Sequence, residues 1–548
     1  MTTYSIRGQI VDLHERSIFC GELFVEDGII VRIEKKDVKE KHFILPGLVD
    51  AHVHIESSML TPSRFAEMVV PRGTVAVVTD PHEIANVLGE AGVDYMIQDG
   101  ARVPFKFFFG APSCVPATPF ESSGAIMDHT VVERLLRRDD IWFLSEMMNF
   151  PGLIHGVEDV MKKCETARLL GKPIDGHAPG LTGEGLKIYA AQGIGTDHEC
   201  ALLEEAEEKL SLGMKIQIRE GSAARNFSAL RPLFDQYADQ LMLCTDDSHP
   251  DEILKRGHID RLIKAGLGKF HIDLFDLLRA ATVVPVQHYQ LPVGLLREGD
   301  AADFIVIDNF EDFNIQATYI NGEKVFDKEG GVLFEVGEAE IKNAFRDQSI
   351  RVEDLKVLLP QDKSAVRVIE AQDGELLTDS FLWEPLLKPD LEIHSQPDMD
   401  IIKLVVVNRY SNELPKVGFV KNMGLRKGAI GGTVAHDSHN IIVAGVDDAS
   451  ITHLINALID HKGGIAVGEG SGISLLPLPV AGLMSTRRGE EVAMEYLQLT
   501  NKAHDLGSQL KAPFMTLSFL SLLVIPSLKL GDKGLFDVNR FEFVSLFE

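Results

Sequence analysis

The sequence predicts an α/β protein centred on a (β/α)8 TIM barrel, with a small flanking β-sandwich domain and an additional α+β C-terminal domain. Three observations lead there. Eight short apolar runs, each followed by a break and a segment of helical character, fill the chain from Phe43 to about Asp247. Polar residues collect at the C-terminal ends of those runs, where the loops of such a barrel converge. Alternating strand-like segments lie before the runs and again after them.

Residues 1–42 carry short alternating strands and turns such as Glu26-Asp27-Gly28. The eight runs are FILPGLVDAHVH, TVAVVTDPH (74–82), FKFFFGA (105–111), IWFLSEMMN (141–149), KPIDGHAP (172–179), GIGTDHE (193–199), MKIQIREG (214–221) and LMLCTDD (241–247). Continuous β-rich runs between stretches such as VVERLLRRD and EDVMKKCETARLLG imply parallel strands buried on both faces. The fifth and sixth runs are short and glycine-bearing. After them come GLLREGDAADFIVIDN (294–309) and ATYINGEKVFDKEG (317–330), where Asn321-Gly322 is a hairpin signal. Residues 1–42 and 285–337 are therefore expected to pair into one small β domain beside a barrel of residues 43–284. A charged stretch near 338–356 leads into the mixed α+β region, 355–548.

A chain of 548 residues is too long for a single core. Its formal charge of −28 argues against nucleic acid as a partner, because a phosphate backbone needs a basic surface. The cysteines Cys20, Cys114, Cys164, Cys200 and Cys244 are scattered and contain no C-x-x-C pair. That pattern points to a reducing compartment and away from a thiolate zinc site. The opening stretch MTTYSIRGQIVDLHERSIF lacks the apolar core of a signal peptide. The longest apolar run, Phe514 to Ile525, is interrupted by Thr516, Ser518 and Ser521 and is too short to span a bilayer. A cytoplasmic protein without a membrane partner is expected.

The chemistry starts from His52-x-His54 at the end of the first run. Alternate residues of a strand share a face, so both imidazoles would enter the barrel mouth. Alone the pair is a weak signal, but Glu146 ends the fourth run, His177 the fifth, His198 the sixth and Asp246 the eighth. Imidazoles and carboxylates converging from separate strands suit divalent Mn, Fe or Zn and leave positions open for water. Four histidines and two carboxylates are enough for two ions with one bridging carboxylate.

PGLVDAHVHIE, the order of ligand-type residues along the runs, and GLLREGDAADFIVID resemble the amidohydrolase superfamily of metal-dependent hydrolases over about residues 1–345. More closely, HVHIESSMLTPSRFAEMVVPRGTVAVVTDPHEIANVLG is similar to the bacterial adenine deaminase family, as are LSEMMNFPGL, DGHAPGL, GTDHE and CTDDSHPDEI. That likeness reaches into the last 190 or so residues through GGTVAHDSHNIIVAGVDD. It implies His52, His54 and Asp246 on one metal and His177 and His198 on the other. Glu146 takes the bridging place that many relatives fill with a carboxylated lysine. The resemblance further implies two divalent ions, manganese ahead of iron or zinc, adenine and water as substrates, and a homo-oligomer.

In the implied reaction, water made acidic by the metal attacks C6 of adenine, ammonia leaves, and hypoxanthine results. Glu146 and His198 belong to the catalytic centre, while Asp246 would shuttle the proton. The ring nitrogen beside C6 needs an acid, and Glu56, Glu83 and Asp247 are equal candidates, each as readily an ordinary carboxylate. Asp80-Pro-His82-Glu83 offers His82 as an extra ligand, a substrate contact or a hydrogen-bond partner. Arg219-Glu220 ends the seventh run, where Arg219 would touch the purine or form a structural ion pair. His436-Asp437-Ser438-His439-Asn440 reads as a surface turn by composition, whereas the resemblance favours a loop reaching the barrel mouth.

Other readings are a different amidohydrolase acting on another base or a cyclic amide, and a non-catalytic scaffold of the same fold. The scaffold would be expected to lose ligands, yet every ligand position is filled. The H-x-E and P-C-x-x-C pattern of cytidine deaminases is missing, as are a P-loop and a dinucleotide-binding G-x-G-x-x-G.

Overall fold

A computed structural model describes residues 3–222, 224–386 and 392–548. It divides into two compact units, one of residues 1–82, 94–113 and 128–338, the other of residues 83–93, 114–127 and 339–548.

In the first unit, strands β1 (Thr3–Asp12), β2 (Ser17–Glu26), β3 (Ile29–Lys35) and β4 (Phe43–Pro46) precede the barrel. The barrel strands are β5 (Leu48–Val53), β6 (Thr74–Thr79), β7 (Lys106–Ala111), β8 (Ile141–Met147), β9 (Ile174–Gly176), β10 (Thr196–Asp197), β11 (Lys215–Arg219) and β12 (Leu241–Cys244). Every residue of β5, β6, β9, β10 and β12 is buried, as parallel strands covered on both faces require.

The eight strands pair in parallel as β5-β6-β7-β8-β9 and β10-β11-β12. Two seams join the arcs. Gly195 N–H donates to Ile174 O at 2.8 Å, and Asp246 N–H donates to His52 O at 2.9 Å. The fifth and sixth runs give the shortest strands, of three and two residues. Gly176 explains their closeness, because a Cβ there would stand 2.3 Å from Thr196 O.

Strands β13 (Phe304–Ile307), β14 (Ile315–Ile320), β15 (Glu323–Asp327) and β16 (Gly331–Val332) follow the barrel. They join β1–β4 in one eight-stranded sheet, ordered β16-β15-β14-β13-β4-β1-β2-β3. Both sequence turn signals are two-residue hairpins with positive φ at each position. The values are 47° and 82° at Asp27-Gly28, and 49° and 75° at Asn321-Gly322. That backbone matches the twist of the strands it joins.

The second unit carries an eight-stranded, largely antiparallel sheet running from residue 366 to 477, with strands Ile401–Val407 and Ile441–Gly445 side by side at its middle. Helix Asp448–Asp460, capped by the Asp447 side chain on Ser450 N–H, packs Ile451, Leu454, Ile455 and Leu458 against Val405, Val407, Ile441 and Val443. The apolar run at 514–525 is a buried helix, Pro513–Ser518, and a following turn. Among the described residues no helix is long and apolar enough to cross a membrane.

Candidate metal centre

The C-terminal ends of the barrel strands bring His52, His54, Glu146, His177, His198 and Asp246 into one cluster. All are buried except His177, which is half-buried. His52 and His54 point the same way from β5, with their Nε2 atoms 3.2 Å apart. Asp246 closes the ring from just beyond β12. Its N–H donates to His52 O and its carbonyl accepts from His54 N–H. Asp246 holds a left-handed φ of 53°, a conformation that aspartate tolerates better than most residues. Its Oδ1 lies 3.5 Å from His52 Nε2 and 3.3 Å from His54 Nε2.

Glu146, at the end of β8, divides its carboxylate. Oε1 faces His54 Nε2 at 3.2 Å and His82 Nδ1 at 3.5 Å, while Oε2 faces His177 Nδ1 at 2.7 Å and His198 Nε2 at 3.2 Å. One carboxylate thus serves two separate groups of imidazoles.

Charge follows this geometry. Burial works against charge at His54 and His198. It is outweighed at His54 by Asp246 and Glu146, and at His198 by Glu146 and Glu199, so both sit well above the ordinary imidazole range. Burial likewise opposes ionised Glu146 and Asp246. His177 and its neighbours hold Glu146 well below the usual carboxylate range, and Arg219 with His52 and His54 does the same for Asp246.

Two features fit this donor set to a divalent cation. The ligand-type atoms fall into overlapping groups that include His52, His54 and Asp246; His52, Glu146 and His198; and His54, Asp80, His82 and Glu146. Within each group all the atoms lie within 4.8 Å of one another. His54 Nδ1 also sits 3.1 Å from Asp80 O. A proton on Nδ1 donated to that carbonyl leaves Nε2 with its lone pair facing the cluster, the tautomer a metal ligand needs.

Behind the cluster, Arg219 makes a two-pronged ion pair with Glu199, at 2.6 and 2.8 Å, and also reaches Asp246. Glu199 Oε1 lies 3.3 Å from His198 Nε2 and 3.6 Å from His177 Nδ1.

Comparison with known proteins agrees with this arrangement. Residues 43–325 match the amidohydrolase family and residues 375–542 the adenine deaminase C-terminal domain. The chain is 56% identical to an adenine deaminase of Methanosarcina mazei over 98% of its own length and 99% of the relative's. It is 54% identical to that of Methanosarcina barkeri, over 100% of both chains, and 51% to that of Salinibacter ruber, over 100% and 99%. The chain belongs to the adenine deaminase family.

Membership of the amidohydrolases implies a divalent metal centre, and the cluster above is where this adenine deaminase relative has the groups to hold one. The remaining sequence candidates divide. Glu56 is buried in the turn Ile55–Ser58, and Asp247 accepts a 2.5 Å hydrogen bond from Ser57 Oγ. His82 enters the cluster, its Nδ1 lying 3.2 Å from Asp80 Oδ2. Arg219 is brought in as an ion-pair partner of Glu199 and Asp246. Glu83 belongs to the second unit. There its Oε1 lies 2.9 Å from His436 Nδ1, and its Oε2 lies 3.9 Å from His439 Nε2.

The string His436–Asn440 is no surface turn in this family member. All five residues are buried. His436 stacks on Phe519 at 4.6 Å, Ser438 donates to Glu121, and Asn440 accepts from Arg409 N–H. Sequence reasoning missed Glu199 as part of the centre. The available signal was its position directly after His198 in GTDHE, a carboxylate on a strand end already bearing a ligand-type residue.

Proposed function

We infer that this chain hydrolyses adenine to hypoxanthine and ammonia, with His52, His54 and Asp246 holding one divalent ion, His177 and His198 the other, and Glu146 between them. The observation that carries the chemistry is the division of Glu146, one oxygen toward His54 and the other toward His177 and His198. Choice of adenine is supported by the full-length likeness to adenine deaminases.

Ions bound there would supply hydroxide near neutral pH by lowering the pKa of water. Asp246, held charged by Arg219, accepts the proton of the attacking water and returns it to the departing amine. Water adds at C6, the C6–N bond breaks, and ammonia carries the exocyclic nitrogen away. The ring nitrogen beside C6 takes a proton during attack, for which Glu56, Asp247 and Glu83 remain the acidic candidates, and the C6 hydroxyl proton restores that acid as the carbonyl forms. Glu83 follows His82 in the chain and has His436 as its neighbour. A His436→Ala, His439→Ala double variant with unchanged activity would remove that loop from the reaction.

Imidazole and carboxylate donors suit manganese, iron and zinc alike, and manganese is our assignment. The five free cysteines are consistent with a cytoplasmic enzyme, and the family likeness with a homo-oligomer. The test is release of ammonia and hypoxanthine from adenine by Mn-loaded protein, beside Asp246→Ala, Glu146→Ala and an adenosine substrate. Turnover of adenine that both variants lose, with little from adenosine, is expected. Metal-loaded protein that leaves adenine untouched would discard the substrate and keep the hydrolytic centre.

A further inference from the structure

His177 and His198 come from the weakest seam of the barrel. His177 directly follows β9 and His198 directly follows β10, and those two short strands belong to separate sheets. Among the described residues, one backbone hydrogen bond joins segment 174–180 to segment 194–201. It runs from Gly195 N–H to Ile174 O, at the end away from the two imidazoles. The other group of ligand-type residues is fixed differently. His52, His54 and Asp246 are linked directly by backbone, Asp246 N–H donating to His52 O and His54 N–H to Asp246 O. At the His177–His198 seam, side chains must supply that link.

Asp197 and Lys209 do so. One Asp197 oxygen accepts the N–H of Ala178, the residue after His177, at 2.9 Å; the other accepts the N–H of Glu199, the residue after His198, at 2.8 Å. Lys209 repeats the tie, its Nζ donating to Ala178 O at 2.7 Å and lying 3.1 Å from Asp197 Oδ1. Its third acceptor is Glu205 Oε1 at 2.7 Å, one turn back on the helix Leu203–Ser211. An ammonium has three N–H donors, and here each has an oxygen. Lys209 and Asp197 are both fully buried, so water offers no substitute for any of these bonds. Other supports hold one segment each: the Tyr189 hydroxyl accepts His177 N–H at 3.0 Å, and Asn226 donates to His198 O at 3.2 Å.

We propose that Lys209 and Asp197 are positioning residues that set the spacing of His177 and His198, and thereby govern affinity for the ion those two hold while leaving the ion on His52, His54 and Asp246 unaffected. This inference rests on the two-ion reading above. It assigns the buried pair a role in one half of the centre, where a purely structural ion pair would support both halves alike. Groups that orient metal ligands without touching the metal commonly change affinity by 10–100-fold when altered.

The test is titration of the chelated full chain with Mn2+, counting bound ions by equilibrium dialysis and following coupling between them by electron paramagnetic resonance. Two ions per chain with a coupled signal are expected of the parent. Asp197→Asn replaces one of the two accepting oxygens by a donor, while Lys209 keeps Glu205 as its counter-charge. It should weaken the second ion at least tenfold, hold the first within twofold, and show the uncoupled signal of a single Mn2+ at metal concentrations that fill both sites of the parent. A Lys209→Met, Glu205→Gln double variant removes one charge of each sign and should behave alike, which keeps the test open if Asp197→Asn does not fold. Second-ion affinity within twofold of the parent's in either folded variant, or equal weakening of both ions, would overturn the positioning role. A parent that saturates at one ion would instead fail the two-ion reading itself, and this inference with it.

Discussion

Asp50 accepts two hydrogen bonds from Thr245, one from its backbone N–H at 3.0 Å and one from its hydroxyl at 2.5 Å. The second Asp50 oxygen also lies 3.0 Å from His258 Nε2, and all three side chains are fully buried. Thr245 immediately precedes Asp246, so one carboxylate on β5 fixes the backbone that presents the ligand beyond β12. Asp50→Asn keeps the shape but swaps one acceptor oxygen for a donor. We expect kcat to fall by roughly 10–100-fold, the range seen when a group supporting a metal ligand is altered. Metal per chain, measured alongside, should fall in the same variant. An Asp50→Asn protein with parental kcat and metal content would show that Asp246 needs no such support.

Among the described residues, Arg219 is the one cation touching both Glu199 and Asp246. Removing it leaves two buried carboxylates beside imidazoles that must give up their protons to bind metal. Arg219→Met should therefore destabilise the fold by about 3–5 kcal/mol, as breaking a buried ion pair does. The carboxyl of Asp246 should also move upward, because Arg219 is the foremost group holding it down. In the pH–rate profile the acidic limb should shift to higher pH. A variant of normal stability with an unmoved limb would make Arg219 a bystander.

Much of this site could be read from the chain because barrel strands buried on both faces leave uninterrupted apolar runs, and a ligand at the end of each run stands out. His52, His54, Glu146, His177, His198 and Asp246 were all visible in that way. Glu199 was not, since a carboxylate beside a histidine carries no periodic signal, and its meaning comes from Arg219 on the neighbouring strand. The assignment of residues 83–93 and 114–127 to the second unit was equally hidden. Such grouping depends on long-range partners such as Glu83 with His436 and Glu121 with Ser438, which no local pattern announces. The polar composition of His436–Asn440 pointed to solvent for the same reason, whereas His436, Ser438 and Asn440 meet Glu83, Glu121 and Arg409 in the interior.

Glu121 provides a pH prediction in the second unit. Burial, aided by Asp437, pushes its carboxyl up to about 8, although Ser438 and Thr118 hydrogen bonds favour the ionised form. A carboxyl whose folded pKa lies above its unfolded one makes folding most favourable below the unfolded value, near 4.3, and costs stability as pH rises from there to about 8. Glu121→Gln cannot ionise. Its melting temperature should exceed the parent's at pH 8.5 and match or trail it at pH 5. Parallel melting curves of the two proteins across that interval would contradict a protonated Glu121.

Removing the metal should expose the electrostatics of the centre. Without a cation, His54 and His198 keep protons beside Glu146, Asp246 and Glu199, with the imidazoles raised and Glu146 and Asp246 depressed. The imidazole contribution to stability is complete below their unfolded value, near 6.5, and is lost as pH climbs through the raised folded values. The carboxylate contribution is present above about 4 and disappears as pH falls through the depressed ones. Chelated protein should therefore be most stable in the weakly acidic range between those limits. Metal must displace the imidazole protons, so its affinity should rise with pH, and with it the stabilisation that bound metal confers. Melting curves of chelated and manganese-reloaded protein should lie close together near pH 5.5 and separate by many degrees near pH 8. A gap that stays constant over that span would mean that His54 and His198 are not protonated in the metal-free protein, and the charge balance described for the centre would have to be redrawn around neutral imidazoles.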